Sequence, residues 1–331
     1  MIQFRDIAII IPLYNEMDYI ETLTANLIDL KAPIPFHVYF VDGGSEDGTL
    51  EYLEKLDVPF NFTILHNPHR LPAGAMNVGV QSSSEELIVR LDGHTGIGES
   101  YLNNVIDLFE RNPEVGATGA ALNNLGRTLF GRCNALAMSS PFGMGGAATR
   151  VGGDQEKFVD TIAFPCYPRR VAEEVGDVDL DLPYSEDDEY NFRITRKGYK
   201  ILYSPTIVAT YYVRDTAKGL MVQMWNYGRG KVRTLRKHGG ISNLRQLAPP
   251  LFVLYLILLP LLLLVSKLAW VPLIAWLLLA TLLASRQDAK RTPLIMVAFL
   301  IMHVGYGAGY LWQLTTGWLE KTRSTVNRQQ V

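Results

Sequence analysis

From position 248 to position 314 the chain is almost purely apolar, broken by charge only at Lys267 and between Arg286 and Arg291. This stretch limits the fold more than any other, because an uncharged run such as residues 256–265 is unusual in a water-soluble domain. Residues 251–265 and 268–284 are each close to the minimum of the roughly 17 to 25 apolar residues that a bilayer crossing takes, and 293–314 is long enough but glycine-rich. The expected organisation is a domain over residues 1–245, membrane helices within 246–318 (about 248–266, 268–284 and 293–316), and a basic tail at 319–331. Gly305 and Gly309 form a small-xxx-small pair that lets another helix approach closely.

Charge orients these segments. Lys218, Arg229, Lys231, Arg233, Arg236, Lys237 and Arg245 precede the first, and Arg286, Lys290 and Arg291 follow the second, so the amino-terminal domain is expected in the cytoplasm. Only Ser266 and Lys267 need reach the far side. Three full crossings would export Lys321, Arg323 and Arg328 against the same bias, which leaves a re-entrant or interfacial third segment as the alternative. No secretory signal is expected, since Met1 to Asp6 lacks a basic stretch followed by an apolar core.

Upstream, short apolar runs at 7–11, 38–41, 62–65 and 87–91 read as strands buried on both faces. Between them Ile20, Leu23, Leu27 and Leu30 recur at helical spacing, and 49–56 and 73–80 can each hold a short helix. Strands alternating with helices predict an α/β domain with a parallel sheet and right-handed crossovers, its nucleotide-binding half at about 1–119 and its acceptor half at about 120–245. The glycine-rich stretch 122–181 reads as loops and short helices, a helix begins near Glu186 and stops at Gly198, and 201–203 returns as a strand. With 31 Lys plus Arg against 33 Asp plus Glu, no global field favours nucleic acid, and Cys133 and Cys166 have neither metal-ligand spacing nor the density of a disulfide framework.

Chemistry is expected where strands end, because open α/β sheets bind ligands at their carboxyl edge. Pro12-Leu13-Tyr14-Asn15-Glu16 closes the first strand, so Tyr14 can offer a ring face to a nucleobase while Glu16 or a backbone group accepts from its edge. Asp42, before two glycines, can accept a base N–H. Asp92-Gly93-His94 follows the fourth strand, and one carboxylate with one imidazole is adequate for Mg2+ or Mn2+ bridging a diphosphate that supplies further oxygens. His94 bonded to a backbone carbonyl is the alternative. A second acidic cluster, Ser185-Glu186-Asp187-Asp188-Glu189, can supply a base, with Asp187, Asp188 and Glu189 competing for that role.

Pro12 to Glu16, Asp42 to Ser45, Pro72 to Gly79, Arg90 to His94 and Glu186 to Glu189 with Arg193 together resemble the inverting family-2 glycosyltransferases, over about residues 5–235. Within that family the chain looks most like the membrane-associated, succinoglycan-type glucosyltransferases of bacterial exopolysaccharide assembly. The resemblance implies a GT-A fold with a Rossmann-like, mostly parallel sheet and a nucleotide-binding set of Pro12, Tyr14, Glu16, Asp42, Asn77 and Arg90. It further implies Asp92 and His94 at the metal, Asp187 as catalytic base, and Glu186 orienting its neighbour or an acceptor hydroxyl. The chain departs from the family at 209–214, where a metal-holding histidine is often found and Tyr211 and Tyr212 stand instead. The Gln-x-x-Arg-Trp motif of processive synthases is replaced around Gln223 to Lys231, which favours single-sugar transfer. Arg229 and Lys231 are candidates for the pyrophosphate, for lipid headgroups, or for a plain positive-inside flank.

The implied activity is transfer of one hexose from a nucleotide diphosphate sugar, UDP-linked by resemblance, to a lipid-linked saccharide at the bacterial inner membrane. Other polysaccharide-assembly proteins are candidate partners. A polyprenyl-phosphate sugar synthase is the alternative; its phosphate acceptor needs convergent cations, and the segment before Asp187 offers only Arg169 and Arg170. A non-catalytic sugar-nucleotide-binding subunit is the non-enzymatic one.

Overall fold

The computed structural model describes residues 3–239 and 244–328, with side chains described through Thr316. It divides into two compact units. One takes the chain up to Asn123 together with Ala147–Tyr212; the other takes Asn124–Gly146 together with the chain from Val213 onward. The stretches 124–146 and 213–239, expected within the amino-terminal domain, thus group with the apolar helices.

The first unit is built on one sheet. Its strands are β1 (Ile7–Leu13), β2 (Phe36–Asp42), β3 (Asn61–His66), β4 (Leu87–Arg90), β5 (Thr95–Ile97), β6 (Val115–Leu125), β7 (Lys157–Val159), β8 (Ala163–Pro168) and β9 (Lys200–Tyr212). They lie in the order β3-β2-β1-β4-β8-β6-β9-β5, with β7 beside β9. β1 pairs in parallel with β2 and β4, and β2 with β3, as the alternating pattern predicts. The rest joins antiparallel: β4 with β8, β6 with β8, and β9 with β5 and β7. The sheet is therefore mixed, because the glycine-rich stretch contributes strands that return by loops and short helices.

The core sits where β-branched residues are densest. Ile7, Ile9, Ile10 and Ile11 are wholly buried, as strands covered on both faces must be. Helix Met17–Ile28 buries Ile20, Leu23 and Leu27 along one stripe, and helix Pro72–Ser82 opens on a proline whose missing N–H costs nothing at a first helical turn. Register then fixes the site: Leu13 lies opposite Asp42, so β1 and β2 end together, while Arg90 lies opposite Ile10 and β4 stops three residues short of them. The chain leaves β1 towards β2 on one side and returns as β4 on the other, and the diverging crossovers open a crevice at this edge.

The second unit is helical: Leu129–Met138, Pro141–Met144, Ala217–His238, Ala248–Val265, Val271–Gln287 and Thr292–Arg328. Three stretches, Leu244–Val265, Lys267–Gln287 and Ala289–Thr316, are long and apolar enough to cross a membrane. Arg245 of the basic stretch lies in the separate turn Leu244–Leu247, whereas Lys218 to Lys237 lie on one helix, Ala217–His238, with Thr216 capping it by accepting from Gly219 N at 3.1 Å. The helix that approaches Gly305 and Gly309 is this one: a Cβ at Gly309 would collide with the Trp225 carbonyl, and one at Gly305 would meet Met224 Cβ at 2.9 Å. The side chains of Lys321, Arg323 and Arg328 and residues 329–331 of the basic tail lie outside the described residues.

Candidate active site

The loops leaving β1 and β2 are tied to each other. Asn15 N donates to Ser45 Oγ (2.9 Å), Asn15 Oδ1 accepts from Glu46 N (2.8 Å), and Glu16 N donates to Thr49 Oγ1 (3.0 Å). Asn15 adopts a left-handed conformation (φ 56), which its short polar side chain tolerates. Tyr14 is left 48% exposed at the rim, free to stack on a planar ligand. Asp42 is nearly inaccessible and accepts from Gly44 N (2.8 Å), Ser45 N (3.0 Å) and Ser45 Oγ (2.5 Å), an Asx turn that consumes most of its accepting capacity. A base N–H would have to reach the remaining lone pair of Oδ1. Pro12 lies in register with Val41, one step before that edge.

Asp92, Gly93 and His94 form a tight turn after β4, closed by Thr95 N donating to the Asp92 carbonyl (3.0 Å) and Asp92 N to Thr95 Oγ1 (3.2 Å). Glycine is required at its centre, because a Cβ at Gly93 would stand 2.6 Å from Glu16 Cγ and 2.7 Å from Leu13 Cδ2. That close approach lets Glu16 reach His94, whose Nδ1 lies 3.0 Å from Glu16 Oε1. Burial disfavours the imidazolium, but the hydrogen bond and charge of Glu16, with Asp92 behind them, outweigh it and lift His94 to about 9. Glu16 and His94, assigned to different ligands by sequence, are thus partners. Tyr19 and Tyr211 flank the imidazole, with ring centroids 5.9 and 6.1 Å away. Tyr211 therefore stands beside His94, at the end of β9 where family members often carry a histidine.

Arg90 connects the two acidic clusters. Its Nε donates to Asp92 Oδ1 and its Nη2 to Glu186 Oε1, each at 3.0 Å, across 96 residues of sequence. Arg90 and Glu186 are both buried, at 7% and 6% exposure, so the bridge is screened little by water. Burial opposes the guanidinium charge, yet Asp92, Glu186 and Asp187 more than restore it, and Arg90 is held more firmly protonated than an ordinary arginine.

Glu186 opens the helix Glu186–Arg196, preceded by Ser185 in a left-handed conformation (φ 60). The same helix places two members of the cluster differently. Glu189 is fully buried and gripped by Arg193, whose Nε and Nη2 donate to its carboxylate at 2.9 and 3.1 Å. Asp187 is half-buried, and its Oδ1 accepts from Asp188 N at 2.8 Å. Desolvation, then repulsion from Glu186, outweighs the pull of Arg90 and pushes the Asp187 carboxyl up to about 7. A carboxylate tuned near neutrality suits proton abstraction.

Asn77 closes its amide on one backbone unit: Nδ2 donates to the Val178 carbonyl (2.8 Å) and Oδ1 accepts from Val178 N (2.7 Å). It anchors the loop that leads to Glu186 and Asp187. Arg229 donates to Gln313 Oε1 (3.1 Å) within the helical unit, and Lys231 lies half-buried two residues along the same helix. Sequence reasoning passed over Tyr19 and Arg150, whose guanidinium sits 4.3 Å over the Tyr211 ring. Arg150 comes from the glycine-rich stretch, where no periodicity marks it.

Among the described residues no group of three or more His, Cys, Asp and Glu converges as a metal site. Two donors nevertheless suit a hard divalent ion that a diphosphate and water complete. Asp92 uses only Oδ1 on Arg90, and His94 is engaged through Nδ1, so a metal at its Nε2 would have to displace the proton that the Glu16 contact favours, leaving the arrangement by which a carboxylate orients a metal-binding imidazole.

This edge joins two acidic clusters through one arginine on a mixed α/β sheet, the frame of the GT-A sugar transferases. In keeping with it, a mannosyltransferase from Pyrobaculum calidifontis, solved in complex with GDP-Man and Mn2+, superimposes with a TM-score of 0.65 at 19% identity, covering 94% of this chain and 88% of that one. The profile of Glycosyl transferase family 2 matches residues 8–136, and that of Glycosyl transferase family group 2 matches residues 87–285. The chain belongs to the family-2 glycosyltransferases and is a glycosyltransferase. Two relatives are similar over most of its length. The succinoglycan biosynthesis protein ExoA of Rhizobium meliloti is 29% identical over 325 residues, 92% of this chain and 94% of its own. The dolichyl N-acetyl-alpha-D-glucosaminyl phosphate 3-beta-D-2,3-diacetamido-2,3-dideoxy-beta-D-glucuronosyltransferase of Methanococcus voltae is 26% identical over 252 residues, covering 73% and 77%.

Proposed function

We propose that the protein transfers a single hexose, with inversion, from a nucleotide diphosphate sugar to a lipid-linked saccharide at the inner leaflet of the bacterial cytoplasmic membrane. The observation that carries this reading is Arg90 bridging Asp92 to Glu186, because it brings a diphosphate-facing carboxylate and a base-bearing helix to one edge. Tyr14 offers a stacking face for the base and Asp42 shapes the floor beneath it. UDP is the donor carrier expected from the motif resemblance. A relative named for succinoglycan biosynthesis and one named for a dolichyl-linked acceptor support the acceptor class.

In the reaction an acceptor hydroxyl attacks the anomeric carbon as its proton passes to the Asp187 carboxylate. The new carbon–oxygen bond forms while the bond to the diphosphate oxygen breaks, leaving the electron pair on the nucleoside diphosphate. One in-line displacement inverts the anomeric centre. Glu186, held by Arg90, keeps Asp187 near neutrality and orients the acceptor. A divalent cation, Mg2+ or Mn2+, held by Asp92 with His94 would neutralise charge on the departing diphosphate.

A phosphate acceptor, as in polyprenyl-phosphate sugar synthases, is disfavoured by the pair that would receive it. Arg169 is spent on the Glu85 carbonyl (2.7 Å), the Val80 carbonyl (3.3 Å) and Ser83 Oγ (2.7 Å). Arg170 donates to the Pro113 carbonyl at 3.4 Å. The test is Asp187→Asn, measured for sugar transfer and for donor binding: transfer lost with binding retained supports the base, and unchanged turnover removes it. A panel of nucleotide sugars, read by released nucleoside diphosphate, identifies the donor.

A further inference from the structure

We propose that Arg150 is a ligand of the donor's diphosphate, a cation seated on the Tyr211 ring that meets the leaving group from the β9 side of the site. The inference rests on the donor reading above and adds to it a residue from the glycine-rich stretch.

The backbone sets where this arginine stands. Ala148–Val151 is a single helical turn in which Arg150 N donates to the Ala147 carbonyl and Gly152 N to the Ala148 carbonyl, each at 3.0 Å. Thr149 is buried and Arg150 half-buried. The chain leaves the turn through Gly152 at φ 78, a conformation that favours glycine. It is then tied to β9, the strand that carries Tyr211: Tyr203 Oη donates to the Gly153 carbonyl at 3.4 Å, and β7 pairs alongside with Lys157 opposite Tyr203.

At the other end of β9 the register places Tyr211 opposite Thr95, the residue whose N–H closes the Asp92 turn. The buried Tyr211 ring therefore stands beside His94, with centroids 6.1 Å apart, and the Arg150 guanidinium lies 4.3 Å from the centroid of the same ring. Tyrosine at this place brings no imidazole to a metal; it brings an aromatic face, and a cation occupies that face. Stacking engages the plane of a guanidinium whereas phosphate is gripped by its edge, so one arginine can do both.

The charges already present leave this role to be filled. Arg90 is committed to Asp92 and Glu186 and cannot turn to a donor without stripping both carboxylates of their partner. His94 and Glu16 answer each other across 3.0 Å. A diphosphate that approaches Asp92 thus meets a carboxylate, and it gains further negative charge as the bond to the sugar breaks. A divalent ion offsets part of that charge, and Arg150 adds a cation that belongs to the protein and is held in place before the reaction.

The test measures how much the second phosphate adds to binding. UDP is compared with UMP, and GDP with GMP, on the full chain in detergent, with Mn2+ and in chelator. The wild-type chain is expected to prefer the diphosphate and to keep part of that preference in chelator. Arg150→Ala should lower the preference about tenfold or more in Mn2+ and abolish it in chelator, with affinity for the monophosphate unchanged. Arg150→Lys should restore part of it, because an ammonium keeps the charge without the fork. Tyr211→Phe keeps the ring face and should keep the preference. An unchanged preference in Arg150→Ala would overturn the proposal, as would an equal loss of monophosphate and diphosphate affinity, which marks a merely structural role. Loss of the Mn2+-dependent part in Tyr211→Phe would transfer the role to the phenol and equally refute it. A wild-type chain that binds none of the four nucleotides refutes the donor reading itself and the proposal with it, a result distinct from the other failures.

Discussion

The pH dependence of turnover is the sharpest consequence of the Arg90, Glu186 and Asp187 arrangement. A carboxylate at its ordinary 3.8 would be fully ionised above about pH 5, and the rate would be flat with respect to this group. With Asp187 lifted to about 7, only about a tenth is ionised at pH 6 and about a hundredth at pH 5. The expected kcat/KM therefore falls about tenfold from its plateau at pH 6 and about a hundredfold at pH 5, measured as nucleoside diphosphate released by the reconstituted enzyme. Donor binding measured across the same range separates loss of the base from loss of donor. Removing the guanidinium in Arg90→Gln withdraws the attraction that lowers the Asp187 pKa, so the inflection of residual activity moves to higher pH. The same shift affects folding. Because the folded-state value lies above the unfolded one, the charge is cost-free below about pH 4 and the penalty grows as pH rises to about 7. Asp187→Asn should therefore melt higher than wild type at about pH 8, with the gap closing towards pH 4. A rate profile flat down to pH 5, with donor binding intact, would refute the assignment of Asp187 as a base of raised pKa.

Three further outcomes follow from the same geometry. Arg90→Gln leaves Asp92 and Glu186 facing each other in a buried site and should cost about 3–5 kcal/mol by denaturant unfolding of the detergent-solubilised chain; a loss near zero would mean that water already screens the bridge. Gly93→Ala drives a methyl group into Glu16 and Leu13 and should cost about 1–3 kcal/mol, with turnover reduced more than donor affinity. Chelation of divalent ions should abolish turnover, and added Mg2+ or Mn2+ should restore it; full activity in chelator would return Asp92 and His94 to structural roles.

Much of the fold up to about residue 119 was legible because its strands are β-branched runs bounded by turn residues. The pattern at 7–11 became Ile7–Leu13, that at 38–41 became Phe36–Asp42, and the helix from Glu186 ends at Arg196, just before Gly198 with φ 92. β6 was not legible: Gly116, Ala117, Gly119, Ala120 and Ala121 are small residues without strand propensity, held there by packing, as Tyr199 against Gly116 illustrates. β8 escaped for a related reason, since Pro165 and Pro168 argue against a central strand. At the site, strand ends located Asp42 and Asp92, but the pairings of Arg90 with Glu186 and Asn77 with Val178 join positions about a hundred residues apart. No local spacing encodes such partners. Glu16 shows the same limit, because its bond to His94 depends on the room left by Gly93.

A single guanidinium serving both carboxylate clusters has a consequence for how this enzyme can change. A replacement at position 90 that loosened the grip on Asp92 would also release Glu186 and alter the proton affinity of Asp187. On the proposed roles, donor handling and acceptor activation cannot drift separately, and altered sugar or acceptor preference is to be sought in the loops around this cross-brace.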